Sequence, residues 1–228
     1  MQNSQKTALI AVFAALHAVL YLPEGPWRSL VIYLMPIEGI ILGPLFGFSS
    51  AVLGSTIARM IKPNIFWMFG IIAEPIGVAA AGFLAKGKWK ETALVCGVML
   101  VAYFAHPYGR MLPLWTVLDL IIAFALVYPV AKTGKWLWEK PSARFLAALL
   151  LIAFVSTVAD SMTRVFLMIP VGLHSLLVSS EDELVAMFVF GAVGSYLEDL
   201  FVCITTLVAG APLLAGLRKF LNLEKPLS

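Results

Sequence analysis

The sequence predicts an all-α fold, a polytopic bundle of helices crossing a membrane, and three observations predict it. Hydrophobic residues make up 61% of the 228 positions, charged residues only 13%, and the mean hydropathy is +0.94, outside the range of soluble domains. The apolar residues come in runs, and at about 20 residues per crossing the chain holds roughly six to eight spans. Short clusters of proline, glycine and charge separate the runs, with no polar stretch long enough to fold alone. Residues 1–228 therefore read as a single integral membrane domain.

Eight segments follow in order. The first, Thr7–Leu22, stops at "PEGPWR". It has the lysine and apolar core of a secretory signal, but its alanines recur on one face, which suits a retained packing helix. Ser29–Leu42 and Leu45–Ile61 are joined by Gly43-Pro44. Proline lacks a donor and is tolerated as a first helical residue, so the dipeptide reads as a helix stop and an immediate restart. Gly39, Gly43, Gly47 and Gly54 let neighbouring backbones approach, which is how helices pack in lipid. Ile65–Ala85, Thr92–Ala105, Met111–Ala131, Ala143–Met168 and Leu184–Leu217 complete the set. Both cysteines, Cys96 and Cys203, fall in apolar segments and read as free thiols rather than a disulfide.

Orientation follows from the basic residues. With the N-terminus inside and every segment crossing, the inner ends carry eleven of the sixteen Lys and Arg: Lys6, Lys86, Lys88, Lys90, Lys132, Lys135, Lys140, Arg144, Arg218, Lys219 and Lys225. Arg28, Arg59, Lys62 and Arg110 fall at outer ends, and Arg164 lies within a helix. Both termini are expected in the cytoplasm, in a prokaryotic cell membrane. No basic stripe exists for a nucleic-acid partner, and membrane lipid is the expected surrounding.

The stretch "MPIEGIILGPLFGFSSAVLG" (35–54), the small-residue helix "GIIAEPIGVAAAGFLAKGK" (70–88) and "ALIAVFAALHA" (8–18) resemble the substrate-binding S components of energy-coupling factor (ECF) transporters. The resemblance covers roughly Lys6 to Lys90. It implies a binder of a vitamin or other micronutrient, driven by a separate membrane coupling subunit and paired ATPases. It also implies that Ala11, Ala14, Ala15 and Ala18 contact the coupling subunit, and that "LPEGPWRS" lids the substrate through Glu24 and Arg28. Where that family often has an acid after the last glycine of the run, this chain has Ser55-Thr56, and eight segments exceed the family's usual six. No phosphate-cradling Gly-x-x-x-x-Gly-Lys-Ser/Thr occurs, so ATP dependence belongs to partners.

Ionisable groups inside spans are costly and are functional candidates by default. Glu38, Glu74, Asp119, Asp160 and Glu198 fall near mid-helix, with Arg164 one turn from Asp160 and able to pair with it. Five acids against one base leans towards a substrate with a positive centre, or a proton- or metal-related role. Trp115, one turn before Asp119, is placed beside them as a flat contact surface, whereas Trp27, Trp67, Trp89, Trp136 and Trp138 read as interfacial anchors. His17 reads as a hydrogen-bonded packing residue. No His-x-x-x-His or Cys/His cluster marks a metal site, and no cofactor is implied. The expected class is a non-enzymatic transport subunit. An autonomous proton-coupled transporter remains open, as does an intramembrane enzyme using Asp160, Glu198 and Asp199, although no hydrolase or zinc motif supports the latter.

Overall fold

The computed structural model describes residues 3–25, 28–64, 66–221 and 223–228; Trp27, expected at an outer end, lies outside them. The described helices are α1 (Asn3–Tyr21), α2 (Met35–Ile61), α3 (Trp67–Ala85), α4 (Trp89–Ala105), α5 (Pro107–Met111), α6 (Leu118–Thr133), α7 (Ala143–Met168), α8 (Glu181–Thr205) and α9 (Ala211–Leu221). Among the described residues no strand forms, and one isolated bridge joins Glu24 and Ser29. Six stretches are long and apolar enough to cross a membrane: α1, α2, α3, Leu114–Trp138, α7 and Glu181–Leu221. The fold is thus an all-α polytopic bundle. Cys96 and Cys203 are free.

The glycine-proline break behaves as its chemistry requires. Within α2, Gly43 adopts φ 77°, ψ 178°, a conformation essentially reserved for glycine. A Cβ on Gly47 would lie 3.5 Å from the Gly39 Cα, whereas eight residues of continuous helix span about 12 Å. The chain therefore reverses at Gly43, and α2 is a hairpin of two arms. Its inner faces, and that of α3, touch through backbone: a Cβ on Gly39 would fall inside van der Waals contact of the Val78 carbonyl, and one on Gly82 against Pro44 N.

A reversal inside a bundle leaves the last carbonyls of one arm and the first N–H groups of the next without partners. The segment 227–228 fills them. Leu227 N donates to Ile41 O at 3.1 Å and Ser228 N to Leu42 O at 3.0 Å. The Ser228 hydroxyl accepts from Leu45 N and Phe46 N at 3.1 and 3.2 Å and donates to Leu42 O. Lys86 Nζ holds the Ser228 carbonyl. Partial burial, with Lys88 and Lys225 nearby, lowers the Lys86 ammonium below its ordinary range. Ser228→Ala, which removes the hydroxyl bonds of this cap, is expected to lower the unfolding midpoint in mild detergent by an amount worth about 1 kcal/mol. An unchanged midpoint would mean that the hydroxyl adds nothing to the main-chain bonds of Leu227 and Ser228.

Contacts set the helix directions. Ser50 bonds Ile10 O, Gly54 packs on His17, and Lys62 reaches Leu22 O, so the second arm of α2 runs parallel to α1. Arg59 meets Glu74 while Pro44 meets Gly82, so α3 runs back. Arg164 meets Glu74 and Ser156 packs on Gly77, so α7 is antiparallel to α3. Cys203 lies against Leu150 and Glu198 is level with Asp160 through Arg28, so α8 is antiparallel to α7. Residues 3–10 and Ser228 thereby share one end of the bundle.

Two departures from regular helix matter. Residues expected as one helix over 111–131 break at Pro113, and Leu114–Val117 forms a 3₁₀ turn before α6. Between α8 and α9, Thr206–Gly210 is a π-helical turn packed on Ile37. The 41 residues of Glu181–Leu221 are roughly 60 Å long at 1.5 Å per residue, about twice the thickness of a bilayer core. Their far end is tied down by Arg218, which donates to the carbonyls of Leu137, Trp138 and Glu139.

Candidate functional site: a buried charge chain ending in a cavity

Ionisable side chains form one continuous series through the bundle. His17 is fully buried on α1, with Nδ1 2.9 Å from Glu38 Oε2 and Nε2 3.2 Å from Glu74 Oε2. Glu74 also accepts from Arg59 at 2.5 and 3.1 Å and from Arg164 Nη2 at 3.5 Å. Arg164 donates to Asp160 at 2.9 and 3.1 Å. Asp160 accepts from Arg28 at 2.9 and 3.0 Å. Arg28 closes the series on Glu198, with Nε at 2.5 Å and Nη2 on the other oxygen. In a low-dielectric interior such pairs need more than one partner per charge. His17, Glu74, Arg164, Asp160 and Arg28 each have at least two, whereas among the described residues Glu38 meets only His17 and leaves Oε1 unpaired.

The series ends at a cavity of about 750 Å³ between α6, α7 and α8, in the half of the bundle away from Ser228. Arg28, Arg164, Glu198 and Asp119, with Thr116, Ser161 and Ser195, supply its polar wall. Leu120, Val165, Met168, Met187 and Phe188 supply the apolar one. It reaches the outer surface of α8 at Phe190, which is 78% exposed. Asp119 accepts from the Ser195 hydroxyl at 2.9 Å and from Leu120 N at 2.9 Å. Every nitrogen of Arg28 is engaged, whereas Nη1 of Arg164 has no bond among the described residues. The cavity can hold a molecule with an apolar body and a hydrogen-bonding edge, of the size range of small-molecule sites.

Of the residues singled out from sequence, Asp119, Arg164 and Glu198 line the cavity. Glu38, Glu74 and Asp160 do not; Glu74 and Asp160 stand behind it and fix the arginines, while Glu38 meets His17. Trp115 is corrected: the 3₁₀ turn changes the angular step from that of an α-helix, so Thr116 and Asp119 face the cavity while Trp115 is exposed, its carbonyl accepting from the Tyr196 hydroxyl. The four alanines of α1 also divide. Ala14 and Ala18 pack inside the bundle, with the Ala14 carbonyl against Gly54, and only Ala11 and Ala15 lie on the open face with Val12, Leu16 and Val19. Of the two polar residues in the first loop, Glu24 is exposed on Lys62, which holds its carboxyl below the ordinary range; Arg28 is folded inward.

The count of five acids against one base is also corrected. Arg28 and Arg59, placed at helix ends by hydropathy, turn inward and with Arg164 pair with Glu74, Asp160 and Glu198, while His17 meets Glu38; Asp119 alone of the five has no basic partner among the described residues. Arg59 carried a legible signal: it follows Gly47, Ala51, Ser55 and Ala58 on one small-residue face, all buried. Arg28, in a loop between prolines, carried none. Asp199 was considered only for an enzyme; it is 5% exposed, and neither carboxyl oxygen has a hydrogen-bond partner among the described residues.

No family model matches the chain, and no solved structure matches it. The uncharacterized protein MJ0923 of Methanocaldococcus jannaschii is 26% identical over 124 residues, covering 54% of this chain and 42% of that protein. The chain thus spans less than half the length of this curated relative. It is a polytopic helical protein suited to a membrane interior, similar over half its length to an archaeal protein and built around a chain of ion pairs that ends in a cavity.

Proposed function

We propose that the chain is the substrate-binding subunit of an ECF-type importer for a vitamin or other micronutrient in a prokaryotic cell membrane, with both termini cytoplasmic. Separate membrane coupling and ATPase subunits supply the energy, and the chain itself is not an enzyme. The observation that carries the reading is the cavity: a largely apolar space of about 750 Å³ with one charged wall, at the end of the bundle opposite the termini. The exposed apolar face of α1 around Ala11 and Ala15 is the docking side for the coupling subunit under this reading. Affinity purification from native membranes is expected to bring down a membrane protein and ATPase subunits. Ala11→Leu with Ala15→Leu is expected to reduce that yield several-fold while leaving the chain monodisperse. Solute uptake by vesicles containing the chain without any ATPase would overturn the reading.

One observation favours a second reading, an autonomous proton-coupled transporter. Both ring nitrogens of His17 face carboxylate oxygens, and a neutral imidazole has only one N–H to donate. The cluster therefore holds an additional proton whenever both contacts are hydrogen bonds. Uptake by purified chain under a pH gradient alone would establish this second reading.

A further inference from the structure

Two buried acids in the bundle are left without a basic partner. Glu38, Glu74, Asp160 and Glu198 are met by His17, Arg59, Arg164 and Arg28. Asp119 and Asp199 touch no basic side chain among the described residues. Asp119 lines the cavity, and its two oxygens are held only by the Ser195 hydroxyl and the Leu120 amide. Asp199 lies four residues after Ser195, hence on the same face of α8 one turn deeper. Helical side chains tilt back towards the helix N-terminus, which in α8 is the cavity side. Its carboxyl is buried, unpartnered and within electrostatic reach of Asp119.

The basic residues near the cavity do not offset this. Every nitrogen of Arg28 is bonded to Asp160 or Glu198, and Arg164 is shared between Asp160 and Glu74. At the Asp119 wall the unmet electrostatic demand is therefore for positive charge, Arg164 Nη1 offers a single donor nitrogen, and the remaining wall of Leu120, Val165 and Phe188 is apolar. Burial of an uncompensated carboxylate is costly, so a bound cation there gains what the empty site lacks.

We infer that the cavity takes an organic cation, an apolar molecule bearing a protonated or quaternary nitrogen that contacts Asp119 and is reinforced by Asp199 from below. This rests on the cavity being the solute site. It also restores, on Asp119 of the five acids first counted and on Asp199, the leaning towards a positive substrate that the count of acids against bases had motivated.

Three indole probes of nearly equal shape test it on the purified full chain: tryptamine (cationic), 3-ethylindole (neutral) and indole-3-propionate (anionic). Binding is read by titration calorimetry and by the shift in unfolding midpoint. Tryptamine is expected to bind best and indole-3-propionate worst. Asp119→Asn is expected to weaken tryptamine at least about tenfold, Asp199→Asn by a smaller factor, and neither to weaken 3-ethylindole. The wild-type ranking tests the inference even where a variant does not fold. Equal or reversed ranking, an Asp119→Asn chain with unchanged preference, or no binding of any probe at millimolar concentration overturns it. Coupling subunits that co-purify alongside a failed ranking would remove the substrate class and leave the importer; a confirmed ranking without co-purifying subunits would do the reverse.

Discussion

Glu74→Ala is expected to cost the bundle about 3–5 kcal/mol, the scale of breaking a buried ion pair from one side, and is the most damaging single change to its charges. Glu74 is the one acid that three basic groups share: Arg59 at 2.5 Å, His17 at 3.2 Å and Arg164 at 3.5 Å. Deleting it leaves two guanidiniums and an imidazole facing one another in a largely buried place without the anion between them. The measurement is the unfolding midpoint and the monodisperse fraction in mild detergent. Glu74→Gln, which keeps the volume and one acceptor, should fall between wild type and alanine. The double variant Glu74→Ala with Arg59→Ala should recover part of the loss, because the pair is coupled. A Glu74→Ala chain with a wild-type midpoint would mean that the charge series carries no stability.

Gly39→Ala is expected to be nearly as severe, although it adds a single methyl group. The new Cβ would meet the Val78 carbonyl well inside contact distance, with the Ala81 Cβ at 2.7 Å and Gly82 N at 3.1 Å. Two of those three neighbours are backbone, so no rotamer change relieves the clash, and the first arm of α2 must move off α3. Overpacking of this kind costs typically about 1–3 kcal/mol and more where backbone must shift. Gly191→Ala is the matched control. A Cβ there has nothing within 4 Å, and removing a mid-helix glycine should stabilise α8 by roughly 0.5–1 kcal/mol. If both substitutions behave alike in a thermal unfolding series, close packing of α2 on α3 is not what limits the fold.

Segments with a local cause were legible in the sequence. The Gly43-Pro44 reversal was readable because both residues act on their own backbone, and α7 was placed over Ala143–Met168 to the residue because an apolar run over 145–155 marks its first half and the structure caps its start with Ser142. The acids that line the cavity were readable for a similar reason: a carboxylate in mid-span has no local explanation. Arg28 and Arg59 were misplaced because hydropathy sends any arginine near a helix end to the surface, and only three-dimensional pairing brings it back. Trp115 was misplaced because Pro113 starts a 3₁₀ turn, which shifts angular position without altering composition. Asp199 was undervalued for want of a visible partner, the same property that later makes it informative.

The clasp of Leu227 and Ser228 on the helix reversal has a consequence for biosynthesis. The hydrogen bond from Ser228 to Leu42 joins positions 186 residues apart. At about 5–20 residues per second of translation, Leu42 waits on the order of 10–40 s for its partner to be made. Throughout that interval the open ends of the hairpin must be served by water or by the insertion machinery, so the reversal stays at the membrane edge until the remaining helices have been threaded. Ribosome-stalled chains of increasing length, probed for protease protection at the 41–46 bend, should therefore gain protection abruptly and late, once residue 228 has cleared the exit tunnel.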